Sequence, residues 1–579
     1  MLRRADLLQK AFRAYLAPMI ILSIGSSMSE FLDGIVVSAL IDNTALAIVN
    51  LGMPVLLLSA AVALLMGQGG SSLYARFIGE REPERSDAVL SQALLVMVVC
   101  GGVLTGVCYA FSGQIARLLT NDELLLIQLE PYVKVLSLSS LAYLSTLGMN
   151  YFVIAAGYPK QATVIMIVAN VVNITMDFVY ILVFGMGVEG AAWATLTGFT
   201  VAAVITAVFF QRHDMRILGN LSLIGHEKHF VRIVKIGVPS ALGQIGFAAK
   251  LIVLNLLANY YAGSDGVVVF ALCFQTISLV SCMLVGIVSC VQPIASTLFG
   301  ERDFEGLRIV MRSASKYLAV SMLAFFFLCE LFPVVLTSLY SIVDPALMTM
   351  SFHAIRIFSF VHLLRTFVVL FMQYYSVTDH EDVGVALSTE DSFGVLLVAP
   401  LLCLVFGIDG IWLSFPLVGA IGCLMILGGA LRTNRRNSHH EKGILMLPEG
   451  NAGFVLDITI EMSDADAASL SQQVIDFARR QGCRADQANI LGVLAEEMTE
   501  YTLEHAEKDT LIDVLVRIED ERITMCFRSS GAPLSALNAI ENPDASLVFT
   551  SGQMLHRLAS ELEYKRILGL NSTLIALNR

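Results

Sequence analysis

Long apolar stretches, separated by short polar segments, occupy the first three quarters of the chain. A helix needs about 20 mostly apolar residues to cross the hydrocarbon of a bilayer. Twelve stretches meet that length, and they fall near 14–40, 45–67, 88–111, 131–155, 161–184, 188–210, 237–262, 265–290, 317–340, 350–377, 383–406 and 410–431. The pattern therefore predicts an all-α polytopic membrane part with twelve transmembrane helices.

The composition agrees with a membrane protein and excludes two kinds of stabilising site. Of the 579 residues, 56% are hydrophobic and 15% are charged, which is too apolar for a soluble protein. The ten cysteines include no C-x-x-C pair, so the sequence encodes neither a disulfide framework nor a zinc site. Residues 443–579 contain 11 Lys and Arg against 21 Asp and Glu, which argues against nucleic acid as a partner.

The charges in the loops predict which way the helices face. An even number of spans places both ends of the membrane part on one side. That side, here called the basic side, comprises the N-terminus, the loops 74–87, 157–160, 211–235, 299–316 and 378–382, and the tail 432–442. It carries 21 Lys and Arg, whereas the opposite loops contain Arg117 and little else. The positive-inside rule then predicts that the basic side is cytoplasmic, in a cytoplasmic (inner) membrane.

Two motifs recur at nearly the same spacing. Residues 77–82 read FIGERE and residues 298–303 read LFGERD, an offset of 221; residues 187–190 read GVEG and residues 407–410 read GIDG, an offset of 220. Six helices are therefore expected to be duplicated, and because six is even, the two repeats must cross the membrane in the same sense. Two such lobes enclose a cleft that can open to either side.

Ionisable side chains in the first lobe are candidates for a coupling site. Glu30 and Asp33 lie three residues apart in the first span, and Asn170, Asn173 and Asp177 form one stripe in the fifth. Carboxylate and amide oxygens can hold a proton or a hard cation such as Na⁺, and an acid inside hydrocarbon is a functional hypothesis by default. The alternative is that these groups form hydrogen bonds between helices.

The second lobe contains a different set of charges. They are Lys250 in the seventh span, His353, Arg356, His362 and Arg365 in the tenth, and Glu390 with Asp391 in the eleventh. Two readings stay open. Arg356 or Arg365 can pair with Glu390 as a structural ion pair. In the other reading Lys250, His353, Arg356, Arg365 and Glu390 line a substrate cavity that favours an anionic or zwitterionic compound.

By these residues the membrane part, about 10–432, resembles the multidrug and toxic compound extrusion family of antiporters. The matching motifs are Asp33-Gly34, Asn173-x-x-x-Asp177, Gly187-x-x-Gly190-Ala191-Ala192-x-Ala194-Thr195 and Gln292-Pro293. The resemblance implies a cation site made of Asp33, Asn173, Asp177 and Thr195. Glu30 and Asn170 are expected beside it. The charges of the second lobe depart from the family pattern, so the resemblance does not name a substrate.

The segment after the basic tail alternates like a soluble α/β domain. Strands are predicted at 454–460, 510–518, 522–528, 562–567 and 572–577, and helices at 464–481, 485–505 and 547–560. The order of these elements, with the acids Glu496 and Glu497 and the dipeptide His505-Ala506 on the second helix, resembles the histidine-kinase-like ATPase fold, in particular anti-sigma-factor serine kinases.

The residues of that family that carry nucleotide chemistry are mostly replaced. The acid Glu497 remains, but Tyr501 stands at the Mg²⁺-binding Asn position and Ser529 near the adenine-reading Asp, before Gly531. The glycine-rich lid is reduced to Gly552. Without those ligands, phosphate neutralisation and base recognition are both weakened. We expect a degenerate nucleotide site in a domain that binds a protein partner or binds a nucleotide weakly, and no ATP as a cofactor.

Together these features predict an ion-coupled antiporter, not an enzyme, that exports small molecules by alternating access and is regulated by its C-terminal domain. The expected boundaries are 1–218 and 219–435 for the lobes, 436–452 for a linker and 453–579 for the domain. Na⁺ or H⁺ is the coupling ion, no metal or other cofactor is needed, and the partners are a small-molecule substrate, the bilayer and a cytosolic protein. A monomer is expected.

The sequence leaves three alternative functions open. They are a signalling receptor whose domain binds an anti-sigma-type regulator, an ATP-using kinase tethered to the membrane, and a flippase for lipid-linked precursors.

Overall fold

The fold was analysed in a computed structural model of the whole chain. The structure describes residues 2–41, 43–120, 122–213, 215, 227–334, 345–436, 442–448, 454–461, 464–505, 511–519, 522–531 and 557–579. The predicted helix at 547–560 and Gly552 lie largely or wholly outside these ranges, and so does the side chain of Glu30.

The described residues of the membrane part form helices joined by short connections. They are α1 Leu2–Leu40, α2 Asn43–Ala63, α3 Gly69–Gly79, α4 Pro83–Ala110, α5 Ser112–Leu119, α6 Glu123–Ala155, α7 Pro159–Phe178, α8 Gly187–Arg212, α9 Glu227–Gly300, α10 Phe304–Leu331, α11 Pro345–Val377, α12 Glu381–Phe406 and α13 Asp409–Arg436. Within the described ranges, twelve helical segments are long and apolar enough to span a membrane. The predicted number of spans is confirmed.

Several helices differ in detail from the predicted spans. The π-helical turn Leu64–Gln68 joins α2 to α3, so the second span continues to Gly79. Helix α9 contains two spans, because the backbone leaves the helical region at Ala262 and Gly263. The short helix α5 was not predicted, since its 8 residues are too few to produce an apolar run. The end of the predicted ninth span lies outside the described residues.

The repeated motifs share their backbone conformation as well as their spacing. Arg81 and Arg302 both adopt left-handed backbone angles, with φ of 59° and 55°, after the helices α3 and α9. Gly187, the first residue of α8, and Gly407, just before α13, also have positive φ, of 57° and 59°. A left-handed conformation is rare for a residue with a side chain. Its occurrence at matched positions supports a common origin for the first half (α1–α8) and the second half (α9–α13).

The chain divides into two compact units. Unit 2 contains residues 15–300 and 311–446, which is nearly the whole membrane part. Unit 1 contains residues 1–14, 301–310 and 447–579. The C-terminal domain therefore forms one body with the beginning of α1 and with the segment that connects α9 to α10.

The described part of the C-terminal domain contains a five-stranded antiparallel sheet and two helices. Its strands are β1 Phe454–Glu461, β2 Leu511–Ile518, β3 Arg522–Ser529, β4 Glu561–Ile567 and β5 Leu570–Asn578, and its helices are α14 Asp464–Arg480 and α15 Ala485–His505. The strands follow the order β1-β2-β3-β5-β4. Alternate side chains such as Val514 and Met525 form a core with Leu470, Val474 and Leu491 of the helices. The predicted mixed α/β domain is confirmed.

Candidate functional site

The two acids predicted from the first half lie together. Asp33 of α1 and Asp177 of α7 are neighbours whose carboxyl groups interact with each other. Asp177 has no exposed surface, and neither of its carboxylate oxygens has a partner by normal hydrogen-bond geometry among the described residues. Tyr132 of α6 is a buried neighbour of both acids. Two neighbouring carboxylates in a buried place repel each other, so the pair requires either a shared proton, which removes one charge, or a cation that compensates both charges.

Neutral oxygen ligands lie on the same face of α7. Asn173, one turn before Asp177, donates its Nδ2–H to Oγ1 of Thr195 on α8, at 3.3 Å. Thr195 in turn donates to the carbonyl of Ala191, at 3.0 Å. Both side chains are 8% exposed. The structure thus brings together the four residues that the family resemblance implied.

Local features of the backbone place these groups. Gly198 of α8 lies so close to α7 that a Cβ atom would come within 2.7 Å of the carbonyl oxygen of Ala169 and 3.0 Å of the Cβ of Asn173. Only glycine permits this approach, which brings Thr195 within reach of Asn173. A π-helical turn, Val179–Val183, follows directly after Asp177. Such turns often mark functional sites.

Asn170, the third member of the predicted stripe, is half-buried on α7. The side chain of Glu30 lies outside the described residues, so its expected place beside Asp33 stays a prediction.

A second group of charges lies in the second half of the membrane part. Arg365 of α11 binds Asp391 of α12 through two hydrogen bonds, Nε to Oδ1 at 2.5 Å and Nη2 to Oδ2 at 2.9 Å. Lys250 of α9 donates to the backbone carbonyl of Asp391 at 3.0 Å, and its Nζ lies 3.9 Å from Oδ2. Lys250 is 5% exposed and Asp391 is 8% exposed. Two cations therefore share one buried carboxylate.

The expected pairing of Arg356 or Arg365 with Glu390 is wrong. Arg365 pairs with Asp391, and the Nε of Arg356 lies 3.9 Å from Glu330 at an exposed position. Adjacent residues of a helix point about 100° apart, so a shift of one residue changes which acid faces α11. Glu390 instead lies against Gly422 of α13, where a Cβ atom would be 2.9 Å from its Oε2.

The structure separates the predicted cavity residues into two places. Lys250, Arg365 and Glu390 belong to the buried charge group. His353 lies at an exposed position and pairs with Asp409, at 3.4 Å, away from that group.

Sequence reasoning missed several inter-helix contacts at the basic side. Gln68 of the π-helical turn hydrogen-bonds Gln292 of α9, and Gln292 donates to Ser72 of α3 at 2.7 Å. A Cβ atom on Gly237 would lie 1.9 Å from the carbonyl oxygen of Leu65. The two halves are therefore in backbone contact here. A pair of Gln residues at the nearly repeated positions 68 and 292, an offset of 224, was the available signal.

An ion group completes this contact. Arg76 of α3 binds Asp379, which precedes α12, at 2.6 Å, and Arg232 of α9 binds the same carboxylate. Burial would raise the pKa of Asp379, but its hydrogen bonds with Arg76 and the positive charges of Arg76 and Arg232 lower it below its ordinary value. Asp379 is therefore a carboxylate at neutral pH and holds the two halves together.

The C-terminal domain contains its own buried ion group. Arg528 of β3 is 4% exposed and binds Asp303 at 2.8 Å and Glu301 at 2.5 Å, with Asp513 of β2 at 3.7 Å. Arg517 donates to the backbone carbonyl of Glu301 at 3.1 Å. Burial would lower the pKa of the Arg528 guanidinium, but Glu301 and Asp303 raise it well above its ordinary value. These contacts join the sheet to the segment between α9 and α10.

The degenerate nucleotide site can be followed only in part. Tyr501 is 6% exposed and belongs to the apolar core between helices and sheet. Ser529 is buried at the end of β3, Gly531 follows with φ of 124°, and Glu497 is half-buried on α15. Because the residues 532–556 lie outside the described ranges, the predicted site stays a prediction.

The sequence was compared with families and with individual proteins. The model of the MatE family matches residues 18–179 and 239–388, more than half of the chain. The multidrug export protein MepA of Staphylococcus aureus strain MRSA252 is 25% identical over 321 residues, covering 55% of this chain and 71% of that protein. MepA of Staphylococcus haemolyticus is 23% identical over 354 residues, covering 60% of this chain and 76% of that protein.

Solved structures share the fold. An outward-facing multidrug resistance MATE family transporter superposes with a TM-score of 0.67 at 23% identity, covering 73% of this chain and 96% of that one. A MATE structure in a bent conformation gives a TM-score of 0.68, covering 74% and 97%. With twelve membrane helices, this fold and the matched residues, the chain belongs to the MatE family, the membrane transporters of the multidrug and toxic compound extrusion type.

Proposed function

We propose that the chain is an ion-coupled antiporter that exports small organic molecules in exchange for Na⁺ or H⁺. The observation that carries this proposal is the buried contact of Asp33 with Asp177, beside the Asn173–Thr195 hydrogen bond. Curated relatives named as multidrug export proteins support it. A buried carboxylate pair with amide and hydroxyl neighbours has the oxygen chemistry that a proton or Na⁺ requires.

Exchange follows from competition at this pair. A proton or a Na⁺ bound between Asp33 and Asp177 cancels their repulsion and lets α1 and α7 close on each other. Its release leaves two charges that must be compensated, and a bound substrate or a rearranged helix can then provide the compensation. The ion and the substrate thus favour different arrangements of the same helices, which couples their movements.

The basic side is proposed to be the cytoplasmic side, and the described contacts support a state that is closed there. The ion group of Arg76, Asp379 and Arg232 and the backbone contact at Gly237 link the two halves at this side. Transport requires that these contacts break and re-form once per cycle, with the two halves acting as lobes.

A single substitution tests this gate. Gly237→Ala places a methyl group 1.9 Å from the Leu65 carbonyl oxygen, so the halves cannot close at the basic side without moving apart. Spin labels are attached to cysteines that replace Glu84 and Asp382, both exposed, in a background without other cysteines. By pulsed electron paramagnetic resonance we expect the distance between the two labels to be longer in Gly237→Ala than in the unchanged protein. Gly243→Ala on the same helix α9 is the control, because a Cβ there meets nothing within 4 Å. Equal distances in the two variants would contradict the gate.

The C-terminal domain is proposed to regulate this cycle. Its support is the contact of Arg528 and Arg517 with residues 301–303, because Gly300, the preceding residue, packs against the carbonyl of Arg76 in the closed gate. Residues 301–303 therefore belong to the body of the domain and directly follow Gly300 along the chain. In this proposal the domain has the histidine-kinase-like ATPase fold and has lost the residues that bind a nucleotide. The regulator that binds the domain is a cytosolic protein.

Reconstitution tests the export function directly. The full chain is placed in liposomes with rhodamine 123, and Na⁺ or H⁺ gradients are imposed separately. We expect one gradient to drive the dye against its concentration difference and an ionophore for that ion to stop it. No response of dye movement to either gradient would reject ion-coupled export of this dye and favour the receptor alternative.

A further inference from the structure

A small cavity lies between the second half of α9 and α11. Its described lining includes Ser281 of α9 and His362, Arg365 and Thr366 of α11, and the rest is aliphatic. The cavity has a volume of about 80 Å³. Since a water molecule occupies about 30 Å³ in the liquid, this space accepts a small polar group of a larger molecule and excludes the molecule as a whole.

Arg365 has donors that its ion pair does not use. Its Nε and Nη2 nitrogens are bound to the two oxygens of Asp391. The guanidinium fork has five N–H groups in a fixed plane, so the Nη1 nitrogen keeps donors for a further acceptor. Arg365 also lines the cavity, which places a positively charged donor beside an open space.

His362 contributes a second unused polar atom. The residue is 2% exposed, and its Nε2 has no hydrogen-bond partner among the described residues. The ring packs edge-on against Phe325, with the centroids 5.0 Å apart, so its orientation is fixed. A buried ring nitrogen without a partner costs free energy, and in the tautomer with a proton on Nε2 an acceptor bound in the cavity removes that cost.

The two cations of this group face two acids. Lys250 and Arg365 both pair with Asp391, and Glu390 is close enough to interact electrostatically with both cations. Neither oxygen of Glu390 has a hydrogen-bond partner by normal geometry in the described part of the chain. The remaining donors of Arg365 are therefore not occupied by Glu390.

We propose that this cavity binds a carboxylate of the transported molecule through Arg365 Nη1 and His362 Nε2, so that the preferred substrates are amphiphiles with a free carboxylate. The inference rests on the proposed export function and names the substrate class of the second half. Lys250 and Asp391 act as positioning residues that orient the Arg365 guanidinium.

Two dyes that differ at one carboxylate test it. Rhodamine 110 has a free carboxylate, and rhodamine 123 is its methyl ester. Their binding to the full chain in detergent is followed by fluorescence anisotropy. We expect the acid to bind on the order of tenfold more tightly than the ester, the effect of a hydrogen bond to a charged group.

Variants then locate the preference. Arg365→Gln is expected to make the two affinities equal, and so is the double change Arg365→Gln with Asp391→Asn, which removes the ion pair as a unit and avoids leaving a lone buried acid. Arg356→Gln is the control, because it removes the same charge from an exposed position of α11 that is paired with Glu330. It is expected to keep the tenfold preference.

The outcomes separate this inference from the export proposal. Equal affinities of the unchanged protein for the two dyes, no binding of rhodamine 110, or a preference that survives both Arg365 changes would overturn the carboxylate site. Binding needs no ion gradient, so a failure of gradient-driven transport would reject export and leave the binding result standing on its own.

Discussion

Replacing Asp177 by Asn is expected to abolish gradient-driven dye export while leaving the fold in place. Asn has nearly the same size and keeps a side-chain oxygen, but it cannot bind and release a proton and carries no charge for Na⁺. Coupling free energies between sites usually correspond to about 5-fold to about 150-fold effects, so we expect a loss on the order of a hundredfold. The same result is expected for Asp33→Asn, because the two carboxylates act as one site.

The measurement separates coupling from folding. Gradient-driven movement of rhodamine 123 in liposomes is compared with its exchange between two equal dye pools, which needs no ion gradient. The variants are expected to lose the first and keep the second. Asp409→Asn is the matched control, since Asp409 is a half-exposed acid that pairs with His353. It is expected to keep both activities.

The double change gives a further check. Residues that act as a unit show non-additive effects, so Asp33→Asn combined with Asp177→Asn is expected to be no worse than either alone. If the single changes leave gradient-driven export unchanged, the coupling site lies elsewhere. If the effects of the two changes multiply, the acids act separately and the shared-ion explanation fails.

The first-half site was predictable because its signal is local and periodic. Asn173 and Asp177 lie one turn apart, so any helix places them on one face, and Asp33 is an acid in an apolar span. Exposing any of these polar side chains to lipid costs free energy, so each one is expected to face another helix or a polar cavity. The contact between Asp33 and Asp177 joins distant parts of the chain, and the family resemblance supplied that step.

The pairing within the charge group of the second half could not be predicted from the sequence. The identity of the partner of Arg365 depends on the rotation of α12 about its axis, and Glu390 and Asp391 differ by one residue. The cavity beside His362 depends on how two helices separate, which no periodicity encodes. The contact of residues 301–303 with Arg528 was also beyond prediction, because charged loops normally stay in water.

Replacing Arg528 by Gln is expected to destabilise the body that the C-terminal domain forms with residues 1–14 and 301–310. The change leaves Glu301, Asp303 and Asp513, each at most 8% exposed at its side chain, without their shared cation. Removing one partner of a buried ion group costs about 3–5 kcal/mol, because the remaining charge is uncompensated. Amide hydrogen exchange of β2, β3 and β5 in the full chain is expected to accelerate.

A neighbour on the same strand provides the control. Arg522 also lies on β3, but it is 46% exposed and pairs with Glu561 at the surface. Exposed pairs contribute about 0–1 kcal/mol, so Arg522→Gln is expected to leave the exchange rates near their original values. The triple change Arg528→Gln, Glu301→Gln and Asp303→Asn removes charges of both signs together and is expected to restore part of the protection.

Transport by the same variants decides whether the domain regulates. If the domain acts through residues 301–303, Arg528→Gln changes the rate of rhodamine 123 export, because Gly300 at the gate precedes the released segment. Arg522→Gln leaves that rate unchanged. Faster hydrogen exchange with an unaltered export rate would show that the buried ions only anchor the domain. Unaltered exchange in Arg528→Gln would show that the ion group does not hold this body together, and regulation through it would then have no physical basis.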